Sequence, residues 1–142
     1  MKNKKVFISG GAGVIGRELV SLLIEAEADI FVGDLQTCPT EFQGLIKYRQ
    51  GDLNEITKQE LEDFSPEIFF HLAATFERST ETYEFWHENY QNNIKLTHHL
   101  VSLIKDLNTI KKIIFASSYL IYDPKLYQFK APQDKPVILS DS

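Results

Sequence analysis

Cysteine is nearly missing from this chain: Cys38 is the only one among 142 residues. No disulfide can close within it and no cysteine-based zinc site can form, which fits a reducing compartment and predicts a cytoplasmic protein. Long apolar runs are missing as well. None approaches the roughly 18 residues a membrane-crossing helix needs, so no membrane partner is expected. Positive charge is scarce, with 15 Lys and Arg against 20 Asp and Glu and a net charge of −5. That balance provides no basic face and argues against a nucleic-acid partner. It does not exclude a small phosphate-bearing ligand, because a helix N-terminus can hold a diphosphate locally. Internal repeats and low-complexity segments are absent too.

What remains is an ordinary globular composition, 43% hydrophobic and 25% charged, in a chain of one-domain length. Lys2, Lys4 and Lys5 before the uncharged stretch from Val6 to Gly16 superficially resemble a signal peptide. Four glycines in that stretch, with Arg17 and Glu18 directly after it, argue against one.

Strand and helix patterns alternate. Short apolar runs predict strands over Lys5–Ser9, Asp29–Asp34, Leu45–Arg49, Glu67–Ala73 and Lys112–Ser117. From Ile15, the positions Ile15, Leu19, Leu22, Leu23 and Ala26 predict the buried face of a helix. Glu55–Phe64 reads as a short helix stopped before Pro66, and Leu35–Gly44 as a loop. A long helix is expected from about Tyr83 to Leu107, with one stripe of Tyr90, Ile94, Thr97, Val101 and Ile104 beside another of Asn93, Leu96, Leu100, Leu103 and Leu107. The acidic, aromatic run Glu77–Glu88 is read as the start of this helix, burying its aromatics, rather than as a pocket wall or dimer face. Phe115 and its neighbouring isoleucines are read as core. Alternation of this kind predicts an α/β fold: a Rossmann-type doubly wound parallel sheet, strand order 3-2-1-4-5, with helices on both faces. Its ligand crevice should lie at the carboxyl ends of strands 1 and 4.

The strongest motif sits between the first strand and helix. Ser9-Gly10-Gly11-Ala12-Gly13-Val14-Ile15-Gly16 contains GxGxxG at Gly11, Gly13 and Gly16, and GxxGxxG at Gly10, Gly13 and Gly16. Glycines there permit a tight turn and a close phosphate, and the first helical N–H groups then face a pyrophosphate. Asp34 ends the second strand 18 residues after Gly16. A carboxylate at that place can accept both ribose hydroxyls of NAD and would repel the 2′-phosphate of NADP. NAD is therefore the expected cofactor.

With these residues in hand, the chain resembles the NAD-dependent epimerase/dehydratase branch of the extended short-chain dehydrogenase/reductases. The resemblance runs over nearly the whole chain. ISGGAGVIG, including Val14 and Ile15, is similar to the family's phosphate loop. Gly51-Asp52-Leu53 resembles a segment whose aspartate meets the adenine amino group. His71-Leu72-Ala73-Ala74 resembles a strand end whose backbone lies beside the cofactor. Tyr90-Gln91-Asn92-Asn93-Ile94 resembles a helix motif whose second asparagine, here Asn93, supports the active site. Phe115–Tyr122 resembles a segment whose second serine, here Ser118, orients the substrate hydroxyl and the catalytic tyrosine; the family's closing glycine is Asp123. The resemblance implies oxidation of a sugar hydroxyl by hydride transfer to NAD, on a nucleotide-sugar substrate of the full protein, and allows a homodimer through the long helix.

One element of that pattern is missing. The family's catalytic Tyr-x-x-x-Lys pair would fall just past Ser142. None of Tyr48, Tyr83, Tyr90, Tyr119, Tyr122 or Tyr127 has a lysine four positions on; Tyr122 and Tyr127 have Lys125 and Lys130 at three. A tyrosine base needs such a cation to ionise well below its ordinary pKa of about 10. Residues 1–142 are accordingly read as one NAD-binding Rossmann domain, the front part of the family fold, inactive alone. The alternative is a non-catalytic NAD-binding sensor or scaffold. An NADP-dependent reductase is disfavoured by Asp34, which no arginine directly follows. No metal site is expected. His98 and His99, adjacent on a helix, point about 100° apart and cannot jointly grip an ion, and His71 is read as a packed, hydrogen-bonded histidine.

Overall fold

A computed structural model describes residues 1–75 and 82–118. Tyr119, Tyr122, Asp123, Lys125, Tyr127, Lys130 and residues 77–81 of the acidic, aromatic run lie outside the described residues.

Five parallel strands form one sheet in the order β3-β2-β1-β4-β5, as the sequence predicts. They are β1 (Lys5–Ser9), β2 (Asp29–Asp34), β3 (Lys47–Gln50), β4 (Ile68–His71) and β5 (Lys112–Phe115). Strand alternation sends Val6, Ile8, Ile30 and Val32 to one face, where α1 (Val14–Glu25) adds Val20 and Leu23. Phe7, Phe31 and Phe69 point to the other face, with ring centroids 5.2 Å apart for Phe7–Phe31 and for Phe7–Phe69. There α2 (Lys58–Phe64) and α4 (Leu96–Ile104) cover them with Leu61, Phe64, Leu96, Leu100 and Ile104. Burial of each such side chain contributes about 1.5–3 kcal/mol. Glu67 pins the amino ends of the central strands. Its carboxylate accepts from Lys111 Nζ at 2.9 Å and from the Lys5 N–H at 3.2 Å, and these bonds hold its pKa down to about 2.

Local chemistry sets the helix ends. Thr57 and Glu60 form a reciprocal capping box at the start of α2, which stops at left-handed Ser65 before Pro66. The long helical run comprises α3 (Tyr83–Asn89), a π turn over Tyr90–Lys95, and α4. A π turn was not foreseen from periodicity; such turns concentrate at functional sites.

Four sequence expectations need correction. The buried face of α1 is Gly16, Val20 and Leu23, whereas Ile15 and Leu22 are exposed; the helix presses on the sheet through a glycine, which hydrophobic periodicity cannot see. Strand β3 starts at Lys47, and Leu45 is exposed after the turn at Gly44. Tyr83 and Trp86 are exposed and no residue of α3 is buried. Trp86 stacks instead on Tyr90, one turn along the same helical run, with ring centroids 6.1 Å apart. Phe115 is 57% and Ile113 46% exposed, because β5 is the edge strand of the described sheet and no described element covers it.

Candidate functional site

The carboxyl ends of β1, β2 and β4 open into a cleft of about 330 Å³. Its walls include Gly10 and Gly13 from the loop after β1, Gly33 to Gln36 from the end of β2, Gly51 to Leu53, and Leu72 to Thr75 from the end of β4; Asn92 and Leu96 close it from the long helix. The parallel sheet puts all these segments at one edge, at the switch point between β1 and β4.

The loop glycines have different tasks. Gly10 has φ +80°, and a Cβ on it would lie 2.6 Å from the Ala73 nitrogen. Gly11 and Gly16 are buried and do not line the cleft. Cβ atoms there would strike Val32 Cγ1 at 2.6 Å and the Gly10 oxygen at 2.3 Å. Gly10 and Gly16 let backbone segments touch, and Gly11 makes room for the Val32 side chain. Gly13 is different, since a Cβ on it would meet nothing nearer than the Gly10 oxygen at 3.5 Å. Its φ of −72° suits any residue. The fold does not need glycine at this position, which faces the cleft and caps α1. No side chain caps that helix and no acid sits in its first turn, so its positive end is left to the cleft. Val14 and Ile15 have exposed side chains; what they offer is backbone N–H.

Asp34 lines the cleft at the end of β2. Its Oδ2 accepts from the Ala12 N–H at 2.9 Å and its Oδ1 from the Gln36 N–H at 3.0 Å. The carboxylate is thereby fixed against the glycine loop. Tyr48 donates its hydroxyl to the Gln36 carbonyl at 2.7 Å, pinning the rim; burial first, and then the charge of Asp34, push its pKa up to about 12. Asp52 is exposed and caps the turn Leu53–Glu55, accepting from the Asn54 N–H at 2.8 Å. Leu53 is buried beneath Gly33, where a Cβ would lie 2.4 Å from Leu53 Cδ2.

Asn93 clamps the loop after β4. Its Oδ1 accepts from the Thr75 N–H and its Nδ2 donates to the Thr75 carbonyl, both at 2.7 Å, and Nδ2 also bonds Asn89 Oδ1. Asn92 donates to Thr75 Oγ1 at 3.1 Å. Ser118 lies three residues past β5, exposed, and does not line the cleft. Gly33, Gln36, Thr75 and Asn92 were not singled out from sequence. Glycine within a strand signals close approach, and Asn92 sits beside Asn93 in the same motif; Thr75 and Gln36 carry no such signal.

Residues 6–137 match the NAD dependent epimerase/dehydratase family. The chain belongs to that family. Within reach of it, the chain is 28% identical to the CDP-glucose 4,6-dehydratase of Salmonella typhimurium, covering 96% of this chain and 40% of that enzyme. The UDP-glucose 4-epimerase of Brucella ovis, solved in complex with NAD, is similar at 27% identity and a TM-score of 0.70, over 86% of this chain and 37% of that one. The Bordetella bronchiseptica enzyme WbmG, in complex with NAD and UDP, shares the fold with a TM-score of 0.76 at 19% identity, over 96% of this chain and 44% of that one. The chain thus spans about 40% of the dehydratase's length. No helix among the described residues is long and apolar enough to cross a membrane, and none of their His, Cys, Asp and Glu side chains gather into a metal-holding group.

Proposed function

We propose that the cleft holds NAD and that residues 1–142 form the cofactor-binding domain of an epimerase or dehydratase acting on a nucleotide sugar. The observation that carries this reading is Gly13, a glycine the fold does not require, facing the cleft at the uncapped N-terminus of α1. A pyrophosphate needs the space a side chain would take and the N–H groups of Val14, Ile15 and Gly16. Gly10, Gly11 and Gly16 shape the loop around it. Asp34 accepts from the adenine-side ribose hydroxyls and excludes a 2′-phosphate by charge. Asp52 and Leu53 meet the adenine, and the backbone of Leu72, Ala73 and Ala74 lies along the cofactor's other half.

Bound there, NAD supplies a hydride acceptor for oxidation of a sugar carbon. Asn93 keeps the Thr75 backbone in place at the cleft, and Ser118 orients the sugar hydroxyl. Nucleotide-sugar substrates of the whole protein and a cytoplasmic location belong to the same reading. So does a homodimer, through the exposed Trp86, Tyr90, Ile94 and Val101 stripe of the long helix. The alternative reading is an NAD-binding module without turnover.

Calorimetric titration with NAD and NADP tests the cofactor assignment. Tighter binding of NAD, with the preference narrowed by Asp34→Ala, is expected; tighter binding of NADP contradicts the role given to Asp34. Adding UDP-, dTDP-, CDP- and GDP-sugars to a longer gene product with NAD tests the reaction, and separates enzyme from module by the appearance of keto-sugars or epimers.

A further inference from the structure

His71 ends β4 and is buried beneath the cleft, yet it does not line it. Its ring is held at both nitrogens. Nδ1 lies 2.6 Å from Ser9 Oγ, and Nε2 lies 2.7 Å from Thr97 Oγ1. The proton directions follow from the neighbours. Thr97 Oγ1 also lies 2.5 Å from the Asn93 carbonyl oxygen, which can only accept. The single Thr97 hydroxyl proton therefore points to Asn93, and Thr97 Oγ1 must accept from His71. That puts the ring proton on Nε2. Nδ1 is left bare and accepts from the Ser9 hydroxyl, whose oxygen in turn lies 3.5 Å from the Ala73 N–H.

The chain of donors therefore has one consistent arrangement. It runs from the Ala73 N–H to Ser9 and on to His71 Nδ1, then from His71 Nε2 through Thr97 to the Asn93 carbonyl in the π turn. Both ends reach the cleft. Ala73 is the residue against which Gly10 packs, and Asn93 is the residue that holds the Thr75 N–H and carbonyl. Both Ala73 and Thr75 are cleft walls.

We propose that His71 is a positioning residue of the cleft: its neutral, Nε2-protonated imidazole joins β1 and β4 to the π turn and so sets the Asn93 clamp on Thr75. A second ring proton would reverse the bond between His71 and Ser9, so that Nδ1 donates to Ser9 Oγ and the Ser9 hydroxyl proton loses its acceptor and must turn away. The groups facing the ring are Ser9 from β1, Thr97 from the long helix, Phe69 from its own strand and Phe115 from β5. Among the described residues no charged group contributes to the downward shift of its pKa, and the cause there is desolvation. The ring is thus held neutral by its surroundings and is not paired with an acid.

The proposal concerns the free protein, while its consequence for affinity rests on the NAD reading. The experiment is nuclear magnetic resonance of the isotopically labelled chain without ligand, from neutral to acidic pH, followed by calorimetry with NAD over the same range. The imidazole nitrogen shifts of His71 are expected to report the Nε2–H tautomer, and the Ala73 and Thr75 amide signals to move with its titration. The dissociation constant for NAD is expected to rise about fivefold or more as His71 protonates, the loss of about one hydrogen bond, and His71→Gln is expected to flatten that profile. An Nδ1–H tautomer, or Ala73 and Thr75 amides that stay still while His71 titrates, would overturn the proposal whether or not NAD binds. Failure to bind NAD at any pH, with the amides moving as expected, would overturn the cofactor reading and leave the positioning role standing.

Discussion

Replacing Gly13 and Gly16 separately distinguishes a glycine kept for a ligand from one kept for the fold. A Cβ at Gly13 has its nearest neighbour at 3.5 Å and the backbone there is already extended, with φ −72° and ψ 177°. Gly13→Val should therefore fold. The cost is that of a poorer helix cap, about 1 kcal/mol or less. The branched side chain takes the space of the pyrophosphate and removes access to the helix N–H groups. Hydrogen bonds to a charged group contribute about 1.5–3 kcal/mol each, so losing two raises the dissociation constant for NAD by about 10²–10⁴. At Gly16 the same Cβ would lie 2.3 Å from the Gly10 oxygen and 2.6 Å from Gly11 Cα. Those atoms are backbone and cannot swing away. Gly16→Ala should cost about 1–3 kcal/mol, the usual range for overpacking, which lowers the melting temperature by about 3–12 °C in a domain of this size. Thermal melts and calorimetry on both variants give the comparison. A Gly13→Val protein that binds NAD within threefold (~0.7 kcal/mol) of the unaltered chain refutes the reasoning. So does a Gly16→Ala protein with unchanged stability.

Asn93→Ala leaves the Thr75 N–H and carbonyl without their partners and should lower stability by about 1–3 kcal/mol, with faster hydrogen exchange at the Thr75 amide as the local readout. The lowered pKa of His71 means that the unfolded chain takes up its proton first as pH falls. The stability this ring contributes is complete above its ordinary value of 6.5 and is lost as pH falls from there through the folded value; melting curves from neutral to mildly acidic pH should show that fall, reduced in His71→Gln. The 142-residue chain alone should give no epimerised or dehydrated sugar, since general-base catalysis contributes about 10²–10⁴ in rate. Clear turnover lost on Ser118→Ala would contradict that expectation and direct attention to Tyr122 and Tyr127.

How far the sequence is legible differs from residue to residue. The glycine loop and Asp34 could be read because their constraints are local: a turn, a strand end and a helix start lie within one βαβ unit, and the cleft forms where parallel strands end. The sheet order followed from strand and helix alternation. The clamp was half legible, for Asn93 stood in a motif while its partner Thr75 did not. The π turn was hidden, because part of its support is remote in sequence: Asn54 donates to the Gln91 carbonyl from 37 positions away. The face of α1 was misread because Gly16 packs with no side chain to count. The exposure of Phe115 was invisible in a run as apolar as KIIF, since such a run looks the same at a sheet's edge as at its centre.

The central claim is that the glycine loop and Asp34 form one NAD site, and amide shift mapping of the labelled chain during titration with NAD tests it most directly. Saturable shifts are expected in Gly10 to Gly16, in Asp34 and Gln36, in Asp52 and in Ala73 to Thr75, with α3 unaffected. Shifts confined to α3, or none at saturating NAD, would contradict it.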